Sequence, residues 1–208
     1  MGRAEIAYPF WNQLEPNIPS MFLNAIGEEI DLEEREEIIS YLPDLNMKSV
    51  LELGSGIGRY TGYFAARAKH VTTVDFISHF VEENQREHSD CSNIEFVCKD
   101  VMGLEFDDES FDFIFINWLF MYLNDEEVHI LARRLHGWLR LGGTLFFRES
   151  CAPKTLFPQG DDPAIYRTLH FYTQLFHNKL TFVREDSVKV SIKTFANPFQ
   201  CFWIFSKD

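Results

Sequence analysis

Basic residues are scarce in this chain: 19 Lys and Arg stand against 32 Asp and Glu, a formal charge of −13. That balance argues against a nucleic-acid groove, which needs a basic face. It also gives no long-range field for anionic substrates, so any anion site must be local. The four cysteines, Cys91, Cys98, Cys151 and Cys201, form no Cys-x-x-Cys pair. Spread so widely, they fit reduced thiols in a cytoplasmic protein. His88 and Cys91 are spaced like half a metal site, but no second pair lies near, so no metal is expected. The longest apolar run, 111–123, contains Asp112 and Asn117 and is too short to span a bilayer. The opening residues include Glu5 and lack the apolar core of a signal peptide. Neither the dinucleotide pattern Gly-x-Gly-x-x-Gly nor the Lys-Ser/Thr of a phosphate-cradling loop occurs after the first strand.

What stands there instead is Val50-Leu51-Glu52-Leu53-Gly54-Ser55-Gly56-Ile57-Gly58-Arg59-Tyr60. An apolar run reads as a strand, the alternating glycines as a tight turn, and the residues after them as a helix start. Glycine suits a turn where a ligand approaches the backbone and a Cβ would clash. The glutamate just ahead of the glycines suits a cationic ligand better than a pyrophosphate. S-adenosyl-L-methionine, with its ammonium and sulfonium, fits that description.

Residues 2–27, with Tyr8, Phe10 and Trp11, show no clear period and read as an irregular arm. Asp31 and Glu34 resemble a capping box that opens a helix over 31–42. The acidic run 33–37 reads as a solvated helix face. Strands are expected at 48–53, 70–75, 94–97, 111–116 and 144–147. Helices are expected at 59–69 and 77–88, and after Asn124, which caps a helix with Glu127 at its third position and ends at Leu141-Gly142-Gly143. Strand alternating with helix predicts a parallel, doubly wound α/β sheet. Beyond a Pro- and Gly-containing loop at 153–163, a helix at 168–177 and strands at 180–185, 188–195 and 200–205 predict an antiparallel edge. One domain spans 1–208, with 1–30 as an arm over the site.

In such sheets ligands bind outside the carboxyl ends of the strands, at the switch point beside the first. The loop of Gly54, Ser55, Gly56 and Gly58 falls there, as do Asp75 after the second strand, Asp100 after the third and Asn117 after the fourth. Asp75 is placed to hold ribose hydroxyls, with Phe76 beside it. Asp100 and Val101 are placed at an adenine, and Asn117 and Trp118 at the methionine end. As a rival reading, the acids could merely cap turns, an alternative that weighs most for Asp100.

Five stretches carry a family resemblance: 50–65, 72–77, 98–101, 115–123 and 142–151. They look like the seven-stranded class I S-adenosylmethionine-dependent methyltransferases. More narrowly, from about Phe10 to Trp203, the chain resembles the first methyltransferase domain of the phosphoethanolamine N-methyltransferases. Its more specific pieces are the segment from Asn117 to Leu123, the segment Arg148-Glu149-Ser150-Cys151, Tyr166-Arg167 and Cys201-Phe202-Trp203. The resemblance implies stepwise N-methylation of phosphoethanolamine toward phosphocholine, in a cytoplasmic enzyme with a small-molecule partner. It also implies a second methyltransferase that completes the series, because the plant members join two such domains. It implies that Tyr122 helps the amine lose its proton, and that Trp11 and Gln13 of the arm reach the substrate. Tyr166, Arg167 and Tyr172 would bind its phosphate. The chain departs from the pattern in a slightly shorter arm, in Leu14, where relatives carry tyrosine or histidine, in Ile165 ahead of Tyr166, and in His170, which replaces an expected arginine. Two other readings stay open, a methyltransferase with a different small amine and a cofactor-binding protein without catalysis. A dinucleotide oxidoreductase is disfavoured by the glycine spacing.

Overall fold

The computed structural model of the chain describes residues 2–151 and 162–208. All but the last two residues of the loop expected at 153–163 lie outside those described. Seven strands form one sheet, β1 (Ser49–Leu53), β2 (His70–Asp75), β3 (Ile94–Cys98), β4 (Phe111–Asn117), β5 (Leu139–Ser150), β6 (Thr181–Ser187) and β7 (Gln200–Ser206). Their order is β3-β2-β1-β4-β5-β7-β6. The first five are parallel, and β7 runs against both β5 and β6. The expected antiparallel edge is the β7–β6 pair, with the reversed strand β7 seated between β5 and the edge strand β6. The expected doubly wound sheet is present, with its switch point between β1 and β4.

Both faces of the central strands are covered, which is why they read as nearly continuous apolar runs. Leu51, Leu53, Ile114, Ile116, Leu145 and Phe147 point to one side, against helices α6 (Asp125–Trp138) and α7 (Leu169–Phe176). Val50, Phe113, Phe115 and Phe146 point to the other, against α3 (Gly27–Ile39), α4 (Thr61–Ala65) and α8 (Lys189–Phe195). Helix α5 (Ser78–Glu87) covers the outer strands β2 and β3. The capping box of α6 is complete: Glu127 N donates to Asn124 Oδ1 at 2.9 Å and Asn124 N to Glu127 Oε2 at 2.9 Å.

Five local expectations are corrected. The arm is helical, with α1 (Ala4–Asn12) and α2 (Ile18–Phe22). Its order comes from docking rather than periodicity: Ala7 is buried against Met121 and Tyr122, and the Trp11 ring lies 5.2 Å edge-on to Tyr122. Helix α3 begins at Gly27, which leaves Asp31 and Glu34 inside it, both buried. A capping box read from spacing alone missed the buried arginines that these acids meet. Helix α4 stops at Ala65, and the Asn93 amide donates to the carbonyls of Ala65 and Ala68. Helix α6 ends at Trp138 and the chain enters β5 directly, with Gly142 at φ 73° inside that strand. Residues 189–195 form a helix, not a strand. The Glu37 carboxylate accepts from Lys189 N at 2.7 Å and Val190 N at 2.8 Å, so a neighbouring helix supplies the N-terminal acceptor.

Candidate active site

A cavity of about 870 Å³ opens at the carboxyl ends of the parallel strands. That size suits a cofactor together with a small acceptor. Gly54, Ser55 and Gly56 line it beneath the first strand. Gly54 N and Ser55 N both donate to Val74 O, at 2.9 and 3.1 Å, which ties the glycine turn to β2. At Gly56, φ is 53°, and a Cβ would meet Met21 Sδ at 2.6 Å. Gly58 has a different reason for being glycine. A Cβ there would meet Asn84 Oδ1 at 2.0 Å, and the position does not line the cavity. Asn84 is buried and donates to Thr61 and Thr73, so Gly58 serves packing.

Asp75 ends β2 and faces the cavity. Its Oδ2 accepts from Gly56 N at 2.8 Å and its Oδ1 from Ile77 N at 3.0 Å. Burial pushes its carboxyl upward against these bonds. A carboxylate has about four acceptor sites, so Asp75 retains acceptor capacity for a hydroxyl. Glu52, on β1, accepts from Thr61 Oγ1 at 2.6 Å and Thr73 Oγ1 at 3.0 Å, both on Oε2. Burial pushes it up to about 7. Asp100 lines the cavity and also caps the short turn Val101–Gly103, accepting from Met102 N at 2.9 Å.

One wall holds a buried ion cluster. Glu34 Oε1 accepts from Arg59 Nη2 and Arg148 Nη1, each at 2.9 Å, and Oε2 from Arg148 Nη2 at 2.6 Å. Arg59 Nε donates to Asp31 at 2.7 Å. Arg59 lines the cavity, and its Nη1 is buried with no hydrogen-bond partner. The Tyr60 hydroxyl is likewise buried without one. Arg148 stacks 3.9 Å from the Trp118 ring and donates to Asn117 Oδ1 at 3.4 Å. Trp118 itself sits at φ 56°, a left-handed conformation costly for a bulky residue. Its indole donates to Gln200 at 2.9 Å.

The far end is aromatic and acidic. Trp11, Phe76, Phe80, Tyr122 and Tyr166 line it together with Asp162. Tyr122 follows β4 in a single 3₁₀ turn, Phe120–Tyr122. Glu149, at the end of the neighbouring β5, fixes that turn. Its carboxylate accepts from Leu119 N, Phe120 N and Met121 N at 3.0, 2.7 and 3.2 Å, and burial pushes it up to about 7.

Of the residues singled out from sequence, Gly54, Ser55, Gly56, Asp75, Phe76, Asp100, Val101, Asn117, Trp118, Tyr122, Trp11 and Tyr166 come together around this cavity. Gln13, Gly58, Arg167 and Tyr172 do not line it. Gln13 is exposed at the end of α1. Arg167 is buried and fully engaged: Nε donates to Asp125 at 2.8 Å, Nη1 to Phe120 O at 2.9 Å and Nη2 to Leu123 O at 2.6 Å. Tyr172 is in the core, its ring 5.2 Å from that of Trp203. The sequence reading missed Glu34, Arg59, Arg148, Glu149 and Asp162. Glu34 was hidden in an acidic run read as solvated. Only Glu149 carries a visible signal, an acid closing an apolar strand, as Glu52 does in β1.

A methyltransferase-domain family model matches residues 50–143. The chain is 36% identical over 224 residues to Phosphoethanolamine N-methyltransferase 1 of Arabidopsis thaliana, covering 98% of the chain and 45% of that protein. It is 42% identical over 189 residues to the Zea mays enzyme of the same name, covering 87% of the chain and 37% of that protein. Among solved structures, Haemonchus contortus Phosphoethanolamine N-methyltransferase 1, in complex with phosphoethanolamine and S-adenosylhomocysteine, superposes with a TM-score of 0.90 at 30% identity. That match covers 98% of the chain and 48% of the Haemonchus protein. The chain thus spans less than half the length of these relatives.

Proposed function

We propose that this chain, which belongs to the class I S-adenosylmethionine-dependent methyltransferases and is akin to the phosphoethanolamine N-methyltransferases, methylates the amine of phosphoethanolamine or a close small amine. The observation that carries this is the single cavity running from the glycine turn and Asp75 to the aromatic end at Tyr122. A cofactor at one end and an amine at the other would meet inside it.

The donor set fits S-adenosylmethionine, which supplies the electrophilic methyl group when bound. The free lone pairs of Asp75 would take the ribose hydroxyls. Asp100 would accept from the adenine amino group, beside Val101. The unpaired Nη1 of Arg59 suits the cofactor's carboxylate, with Asn117 and the glycine turn along its methionine portion. The rigid walls hold the amine in line with the methyl, which accounts for most of what such an enzyme must do. Tyr122, kept neutral by burial, closes the site over the amine with Trp11. Helices α1 and α2 would form the lid that excludes water. A second methyltransferase completing the series and a cytoplasmic location belong to the same proposal. No helix among the described residues is long and apolar enough to cross a membrane.

One observation favours the second reading, another small amine as acceptor. Three basic side chains line the cavity among the described residues. Arg59 and Arg148 are paired with Asp31 and Glu34, and Lys99 stands beside Asp100 near the adenine end. Arg167, expected at a phosphate, is occupied elsewhere. Product analysis by mass spectrometry separates the two readings, using phosphoethanolamine, its mono- and dimethyl forms, ethanolamine and a panel of other amines. A mass gain on a phosphobase supports the first reading. A gain only on a phosphate-free amine supports the second, and binding of cofactor without any gain would overturn both.

A further inference from the structure

Asp162 sits where a reacting amine would have to be received. The segment 162–166 is pinned to the 3₁₀ turn of Tyr122, with Ile165 N donating to Met121 O at 2.7 Å. It is pinned to α1 as well, because the Arg3 side chain donates to the Pro163 carbonyl and Arg3 N donates to Glu127 Oε1 at 3.0 Å. Within this frame the Asp162 carboxylate is held by its own turn, Oδ1 accepting from Ala164 N at 3.1 Å. Its Oδ2 accepts from the Tyr166 hydroxyl at 3.1 Å, and the Tyr122 hydroxyl is hydrogen-bonded to the same carboxylate. All three side chains line the cavity, and the ring of Trp11 packs against that of Tyr122. A carboxylate ringed by aromatic faces is the arrangement that attracts an alkylammonium, by charge and by cation–π contact.

We propose that Asp162 is the residue that binds the acceptor's ammonium and takes its proton, with Tyr122 and Tyr166 holding the carboxylate in place. The assignment deepens the methyl-transfer reading and rests on it. The ammonium gives one proton to a carboxylate oxygen of Asp162. The nitrogen lone pair so freed forms the N–C bond to the methyl carbon, while the S–C bond breaks with its electron pair kept by sulfur. The product is a methylated ammonium and S-adenosylhomocysteine, and Asp162 returns its proton to water once the product leaves. A neutral tyrosine alone would be a poor base for this step. Burial and the neighbouring carboxylate push the ionisation of both tyrosines upward, so they act as donors to Asp162 rather than as competing bases.

The test is Asp162→Asn, which keeps the acceptor for Ala164 N and the shape while removing the charge. Binding of S-adenosylhomocysteine, read by calorimetry, should stay within twofold, which shows an intact cofactor half. Against the best acceptor of the wild type, kcat/KM should fall at least 100-fold at pH 8, within the span that general-base catalysis covers. The loss should shrink about tenfold per unit from pH 8 to 9.5, as the free amine itself becomes available. Burial holds Glu149 at about 7, below that range, and the ionisation of both tyrosines is pushed upward, above it, so none of these groups would mimic the slope. Activity within threefold of the wild type, or a loss with no such slope, would overturn the assignment. If the wild type methylates no amine, the reaction reading has failed, and binding of tetramethylammonium in the presence of S-adenosylhomocysteine decides the site by itself. A tenfold weaker affinity in the variant supports Asp162, and equal binding, or none in either protein, sinks it.

Discussion

Arg148 grips both oxygens of Glu34, at 2.9 and 2.6 Å, across the gap between the fifth strand and the helix ahead of the first. Both side chains are almost wholly buried, and the contact pins α3 over the cavity. The second arginine on the same carboxylate, Arg59, reaches it from the end of the glycine turn. Removing the shared acid would leave Arg148 without a carboxylate in the interior and Arg59 with Asp31 alone. Glu34→Ala should therefore cost about 3–5 kcal/mol in urea unfolding, the range for breaking a buried pair from one side. The neighbours of Glu34 hold its carboxyl below the ordinary range. This part of the stability is present above the unfolded value and is lost as pH falls through the lower folded one. A cost under 1 kcal/mol would show that the cluster is dispensable.

Three other buried acids, Asp75, Glu52 and Glu149, act in the opposite sense. Burial pushes Glu52 and Glu149 up to about 7, from an ordinary value of 4.5. A raised carboxyl binds protons in the folded state that the unfolded chain has released. Its contribution is complete below 4.5, is lost as pH rises to about 7 and is level beyond that. Glu52 and Glu149 each account for about 3 kcal/mol over that window. Chemical denaturation should show the chain more stable at pH 5 than at pH 8. Glu52→Gln should remove its own share of the difference, about 3 kcal/mol, and an unchanged pH profile in that variant would refute the assignment to Glu52.

Asp75 both braces the turn and faces the cavity, so its replacement needs a variant that keeps the brace. Asp75→Asn retains one acceptor for Gly56 N or Ile77 N and removes the charge. S-adenosylhomocysteine should then bind at least tenfold more weakly by calorimetry, because hydrogen bonds to a charged group contribute about 1.5–3 kcal/mol. Asp100→Asn should weaken it less, since an asparagine can still cap the Val101–Gly103 turn. Equal effects from the two substitutions would contradict a dominant part for Asp75.

What the sequence made visible was the periodic and the local. The five parallel strands, the glycine turn, the acid after β2 and the Asn124 capping box each lie within a short window, and each is where the pattern places it. What it hid depends on long-range partners. Glu34 looks like a surface acid until Arg148 is brought beside it by the sheet. Residues 188–195 alternate like a strand, and become a helix because Glu37 receives the amides of Lys189 and Val190. The arm has no helical period because α1 and α2 gain their order from aromatic contacts such as Trp11 on Tyr122. In the cavity, Asp75, Asp100 and Asn117, proposed for the cofactor, were legible because each sits at or just after a strand end. The end proposed for the acceptor is lined by the 162–166 segment and the arm, whose meeting no spacing rule foretells.

Arg167 separates what the family resemblance implied from what the geometry shows. A phosphate-binding arginine would present a free fork, yet here all three nitrogens are spent on Asp125, Phe120 O and Leu123 O. Those two carbonyls bound the turn that carries Tyr122, so Arg167 positions that tyrosine. Asp125 is largely exposed, which leaves the two carbonyl bonds as the main contribution. Arg167→Met should cost about 1–3 kcal/mol for the carbonyls left unsatisfied. It should lower kcat by loosening Tyr122 while leaving KM similar for phosphate-bearing and phosphate-free amines. A rise in KM confined to phosphobases, with kcat and stability intact, would return the residue to the phosphate site. The substitution thus reads out whether the buried fork supports the turn or reaches the substrate.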